Sequence, residues 1–235
     1  MKFVSVVQHT QSDWLGLIED HLEGRQIRFS YFRPFSSGGK LPDSEVLGDG
    51  LVLLGLGPWG TAGEHDVPSL EEEISLARTC LMLEKPVIGI GLGAQILSLA
   101  ADGKTEAAPL TFSAGHATRT RPDALNGFLP ERFPNVVYMR DRPLPPDYAE
   151  ILAVDEEGRP ALFQIGTNAL GFSGHPGVKV AMIEDLIMES DETPSSVAEE
   201  LEKLRNLGPE IADALVTIMT GLIQVTALMQ REDSG

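Results

Sequence analysis

Two runs constrain the fold of this chain more than any other feature: Gly50-Leu51-Val52-Leu53-Leu54-Gly55 and Pro86-Val87-Ile88-Gly89-Ile90-Gly91. Each is apolar throughout, bounded by glycine or proline, and too short for a helix. A strand with one face in water alternates polar and apolar side chains. A strand buried on both faces does not, and such strands belong to parallel sheets covered by helices on either side. The neighbouring segments fit that frame. Strands are expected over 3–8, 27–32, 50–55 and 87–90. Helices are expected over 14–23, capped by Ser12 or Asp13, over 69–84, opened by a Ser69-x-x-Glu72 capping box, and over 92–101. This βαβ alternation predicts an α/β fold with a doubly wound, mainly parallel sheet.

From about residue 105 the pattern turns to short strands, expected at 135–139, 151–154, 161–165 and 170–173, followed by a helix at 178–189. Ser190-Asp191-Glu192-Thr193-Pro194 reads as a linker, dividing the chain into a domain at 1–190 and a helical extension at 191–235. Two helices are expected in the extension, 196–207 and 211–229, broken by Gly208-Pro209. The second is apolar on most of its circumference. Asp213, three threonines and Gly221 within it, and a basic flank of Arg231 alone, argue against a membrane span. Such a helix must cover the main domain or pair with a second chain, and a homodimer built on 194–235 is the expectation.

Thirty-five acidic residues against 18 basic ones give a net charge of −17. That surface repels phosphate backbones and anionic lipid, so nucleic acid and membrane surfaces are poor partners. Cys80 is the single cysteine, so no internal disulfide can form. Met1-Lys2 leads directly into the first strand without a signal h-region, and a cytoplasmic location is expected. The five histidines show no paired ligand spacing, so no metal is expected, and no cofactor is expected either. Glu71-Glu72-Glu73 and Asp155-Glu156-Glu157 read as solvated faces or turns, and Cys80 as a core residue.

The strand–turn–helix over 86–101, Pro-Val-Ile-Gly-Ile-Gly-Leu-Gly-Ala-Gln-Ile-Leu-Ser-Leu-Ala-Ala, resembles the nucleophile elbow of class I glutamine amidotransferases, Pro-Val-Leu-Gly-Ile-Cys-Leu-Gly-x-Gln-Leu-Leu. Other segments are similar in the same order. Gly55-Leu56-Gly57-Pro58 resembles the Gly-Gly-Pro loop that supplies an oxyanion-hole amide. Residues 138–145 stand where that family has a His-x-Asp loop ending in Leu-Pro. Gly171-Phe172-Ser173-Gly174-His175-Pro176-Gly177 resembles Gly-x-Gln-Phe-His-Pro-Glu, which carries the catalytic histidine and glutamate. The resemblance covers about 1–190 and implies a flavodoxin-like, amidotransferase-type domain. It places Gly57, Leu92, Gly93, Gln95 and His175 around an oxyanion or ligand cleft.

The departures fall on the chemistry. The elbow cysteine is Gly91, the triad glutamate is Gly177, and the Gln-Phe before the histidine is Ser173-Gly174. Glycine can form no thioester, and without an acidic partner His175 lacks the group that would orient it. The resemblance therefore implies a protein that does not hydrolyse glutamine and serves as a binding, scaffolding or regulatory subunit, with a synthetase-type or other protein partner. The amides of Leu92, Gly93 and Gly57 would be free to hold a small anionic or amide ligand. A cysteine introduced at position 91 is expected to gain a lowered pKa at the helix N-terminus. Two alternatives stay open. One is an active amidotransferase or hydrolase with another nucleophile, such as Ser173 or Cys80, or with a site completed by a partner. The other is nucleotide binding, since Gly89-x-Gly91-x-x-Ala94 after a strand also fits the dinucleotide fingerprint. The latter would need a second strand ending in an acidic residue about 20 positions on, and 101–109 is turn-rich instead.

Overall fold

The computed structural model describes residues 1–43 and 46–228. The parallel half is built from β1 (Phe3–Val7), α1 (Leu17–Glu23), β2 (Arg28–Phe32), β3 (Gly50–Leu53), α2 (Leu70–Met82), β4 (Val87–Ile90) and α3 (Leu92–Ala100). The antiparallel half adds β5 (Lys104–Glu106), β6 (Thr111–Arg119), β7 (Arg132–Met139), β8 (Arg142–Leu144), β9 (Glu150–Asp155), β10 (Pro160–Ile165) and β11 (Ala169–Phe172). Helices α4 (Val180–Glu189) and α5 (Val197–Val225) close the chain. One nine-stranded sheet runs β2-β1-β3-β4-β11-β10-β9-β6-β7, and β5-β8 form a separate ribbon. β2, β1, β3, β4 and β11 are mutually parallel. The rest continues antiparallel.

The apolar runs behave as strands buried on both faces. Val4, Val6, Val52, Leu54, Ile88 and Ile90 pack toward α1 and α5. Val7, Leu51, Leu53 and Val87 pack toward α2 and α3. β11 returns from the antiparallel half to lie beside β4, with Ala169 opposite Val87 and Phe172 opposite Ile90. That pairing carries the 173–177 segment to the end of β4, next to the elbow.

Several local expectations are corrected. α1 starts at Leu17 behind Gly16, not at Trp14, because the proposed caps are used elsewhere: Ser12 bonds Glu189 and Asp13 accepts the Leu56 amide at 3.2 Å. The Ser69 capping box does not form; Ser69 Oγ donates to Glu73 Oε1 at 2.6 Å. β5, β6 and β8 arise where no strand was expected.

The extension differs most. Gly208-Pro209 does not break it, and α5 is a single 29-residue helix with Pro209 inside. A mid-helix proline forfeits one hydrogen bond and costs roughly 3 kcal/mol. Against that, Leu204, Ile211, Leu215, Ile218, Met219 and Leu222 form one buried stripe that spans the proline. Burying such side chains stabilises by about 1.5–3 kcal/mol each, so packing wins. The stripe lies on the chain's own domain, against α1, β6 and β7. The demand for a covering surface is thus met within one chain, and exposed apolar area on this helix no longer argues for a homodimer. Residues 229–235, including Met229 and Arg231, lie outside the described residues. Among those described, no helix is long and apolar enough to cross a membrane.

Candidate functional site

Gly91 stands between β4 and α3 with φ 59° and ψ −115°, a conformation open to glycine and strained for other residues. This is the sharp turn that the sequence predicts. The Gly91 amide donates to the Phe172 carbonyl in β11 at 2.8 Å. Gly89 and Gly93 permit the close packing expected of them: a Cβ on Gly89 would overlap the Gly93 carbonyl, and one on Gly93 the Leu53 carbonyl.

The space that an elbow side chain would occupy is filled. A Cβ at Gly91 would overlap the Gly55 carbonyl oxygen and lie 3.0 Å from its carbon. The same oxygen accepts the Leu92 amide at 3.0 Å, while Gly57 gives its amide to the Tyr138 carbonyl at 2.9 Å. The expectation that Leu92 and Gly57 hold free amides is therefore corrected. The 55–58 loop lies between the elbow and β7, and Gly55 and Gly57 pair with those neighbours. Gln95 is also engaged. Fully buried, it accepts from Thr61 Oγ1 and donates to the Arg140 carbonyl, both at 2.7 Å. It braces two loops and does not line a cleft, and Gly93 is buried beside it.

His175 follows the same rule. Its Nε2 donates to the Trp14 carbonyl at 2.9 Å and its Nδ1 accepts the Gly177 amide at 3.1 Å. Burial pushes its pKa down to about 4, with backbone hydrogen bonds opposing only in part. The ring is a neutral tie between the 8–16 loop and the 173–177 segment, with no nitrogen left to move a proton. This corrects its expected place in the cleft. A Cβ at Gly177 would meet Ile18 Cγ1 at 2.9 Å and Leu215 Cδ2 at 3.3 Å. A glutamate there would enter the apolar core between α1 and α5. Neither substitute nucleophile is poised: Ser173 Oγ donates to the Pro160 carbonyl at 2.6 Å, and burial raises the Cys80 thiol to about 11.

A second polar cluster lies at the ends of β1 and β3. His9 Nε2 meets both Glu73 carboxylate oxygens, at 2.8 and 3.0 Å, and Glu73 is fully buried. The acidic run at 71–73 is therefore a solvated face only in part. Burial disfavours the His9 cation, but the Glu73 carboxylate and then Asp13 outweigh it, and the His9 pKa is raised. Burial pushes the Asp13 carboxyl up to about 7 against the pull of His9 and of backbone amides. Next to His9 in the chain, Thr10 Oγ1 is buried without a hydrogen-bond partner, as is the Tyr138 hydroxyl on β7. One signal was available in the sequence: position 73 falls on the α2 stripe of Ala77 and Cys80, where a carboxylate needs a partner.

The order of strands, the glycine elbow and the loops gathered at the strand ends define a class I glutamine amidotransferase-type fold. Solved structures agree. A glutamine amidotransferase from Methylobacillus flagellatus superposes with a TM-score of 0.82 at 22% identity, covering 99% of this chain and 97% of that one. One from Thermotoga maritima gives 0.76 at 21% identity, covering 96% and 98%. No protein-family model matches this chain, and no curated protein does.

Proposed function

We propose that this chain is an amidotransferase-like protein that does not hydrolyse glutamine and that acts as a binding, scaffolding or regulatory subunit. One observation carries the reading: the Gly55 carbonyl stands where a nucleophile's Cβ would project and takes the Leu92 amide as well. Catalysis by an elbow needs a side chain to attack and free amides to hold the developing oxyanion. Here one atom pre-empts both. His175, with two backbone partners, supports the same reading. So does the absence of a poised hydroxyl or thiol at Ser173 and Cys80. The occupied Leu92 amide also weighs against nucleotide phosphates at the elbow. A protein partner of synthetase type is part of the proposal.

The test is steady-state ammonia release from glutamine by the purified protein, with mass spectrometry after exposure to an electrophilic glutamine analogue. Release at background and an unmodified mass are expected. Turnover above background, or a covalent adduct, would overturn the reading.

A further inference from the structure

The helices leave one face of the β6–β7 hairpin uncovered. α5 packs on the side of the β6–β7 hairpin that carries Phe112, Ala114, Val136 and Tyr138. The alternate residues Thr111, Ser113, Gly115, Asn135, Val137 and Met139 floor an open cleft on the other side. The β8 ribbon forms one wall and the β9–β10 turn the other, and Ser173 closes the inner end. None of the elbow residues, the 55–58 loop or His175 lines it. We propose that this cleft binds a small polar ligand carrying a primary ammonium group.

Asn135 points to a ligand. It is 8% exposed, lines the cleft, and its amide has no hydrogen-bond partner among the described residues, so what accessibility it has opens on the cleft. Its Oδ1 rests against Gly174, where any Cβ would displace it. The glycine that stands in place of the amidotransferase phenylalanine thus makes room for this amide. A side chain that can both donate and accept is held at the cleft floor with neither capacity used.

The charges choose the ligand's sign. Carboxylates of Glu106, Asp141, Asp155, Glu156 and Glu157 line the cleft against the guanidiniums of Arg142 and Arg159. Arg159 is committed to Asp155 at 2.7 Å and to Glu157. Asp141 is spent on the amides of Thr61, Ala62 and Ala108 at 2.8–3.0 Å. Glu106 and Glu156 lie 3.8 and 3.9 Å from their nearest arginines, too far for a direct hydrogen bond, and are more than half exposed. Both can turn to a cation. The charge of −17 on the whole chain adds a field of the same sign. An ammonium facing these carboxylates, with a hydroxyl, amide or second amine reaching Asn135, would engage Glu106, Glu156 and the Asn135 amide together.

The proposal does not rest on the non-hydrolytic reading, because the ammonia assay reports on the elbow alone. Calorimetric titration of the full chain with putrescine, and separately with glutarate, an anion of similar length, tests it. Saturable binding of putrescine at one site is expected, with none of glutarate. Asn135→Ala should weaken putrescine about tenfold, the worth of one charge-assisted or buried hydrogen bond. Glu156→Gln, at an exposed position that leaves folding intact, should weaken it several-fold. Putrescine binding insensitive to both variants would expose a diffuse attraction and overturn the site. Equal binding of glutarate, or no putrescine binding at millimolar concentration, would overturn it too.

Discussion

The glycine elbow and the His9–Glu73 pair occupy equivalent places, both at the C-terminal ends of parallel strands, yet they are built on opposite principles. At the elbow the Gly91 and Leu92 amides have backbone partners, and the one titratable side chain, His175, is held neutral. Around His9 an imidazole faces two buried carboxyls, and the adjoining Thr10 keeps an unpaired hydroxyl. The position where the amidotransferase resemblance predicts chemistry is electrically quiet. The position that holds buried charge is one the resemblance does not mark. Burial alone does not decide which: neutral groups are satisfied by nearby backbone, whereas charges must find each other across 64 residues of chain.

Removing one half of the charged pair should have the largest effect. Glu73→Ala leaves His9 buried and unpartnered and is expected to cost about 3–5 kcal/mol in urea denaturation. A loss below about 1 kcal/mol would mean that the pair is not a buried ion pair.

The two regions also predict opposite pH dependences. The folded pKa of His175 is depressed from 6.5 to about 4. Its contribution, roughly 3 kcal/mol, is present above pH 6.5 and lost as pH falls through that window. Asp13 is raised from 3.8 to about 7. Its contribution is present at low pH and lost as pH rises through the interval between those values, and the raised His9 extends that loss upward. Relative to wild type, His175→Asn should grow less costly as pH falls from 6.5 to 4.5, and Asp13→Asn less costly as pH rises. Denaturation midpoints at the two pH values check both signs; parallel curves would erase the distinction.

At the elbow, Gly91→Cys combines positive φ with a Cβ driven into the Gly55 carbonyl, and should destabilise by about 2 kcal/mol without raising ammonia release. This replaces the expectation of an activated thiol. An unchanged midpoint together with an alkylation rate above that of Cys80 would show that the loop opens. The smallest effect expected is for Ser69→Ala, which removes one hydrogen bond to Glu73, about 1 kcal/mol by the same measurement.

Much of the parallel half was legible, because strands buried on both faces are written as unbroken apolar runs. β3 and β4 follow from the length and continuity of their apolar runs, and the elbow from its resemblance to the amidotransferase motif. β6 was not legible: Thr111–Arg119 alternates small residues with polar ones, and its pairing with β7 is set by the fold. The continuity of α5 was hidden by a local rule, proline as breaker, that long-range packing overrode. The vacancy of the triad was legible at Gly91 and Gly177. The closure of the site was not, since it depends on where a loop 36 residues upstream of Gly91 places a single carbonyl, 3.0 Å from the Leu92 amide.

The placement of β11 beside β4 has a consequence during synthesis. β4 is complete at Ile90, but the strand that pairs with its free edge ends at Phe172. At about 5–20 residues per second on the ribosome, several seconds pass in which Val87-Ile88-Gly89-Ile90 offers an unpaired, wholly apolar edge. Native sheets shield such edges with charge or proline, and here Lys85 and Pro86 stand only at the strand's entry while its four residues carry neither. The emerging chain is therefore most vulnerable to aggregation before its last third appears, and a chaperone that holds nascent chains would matter most in that interval.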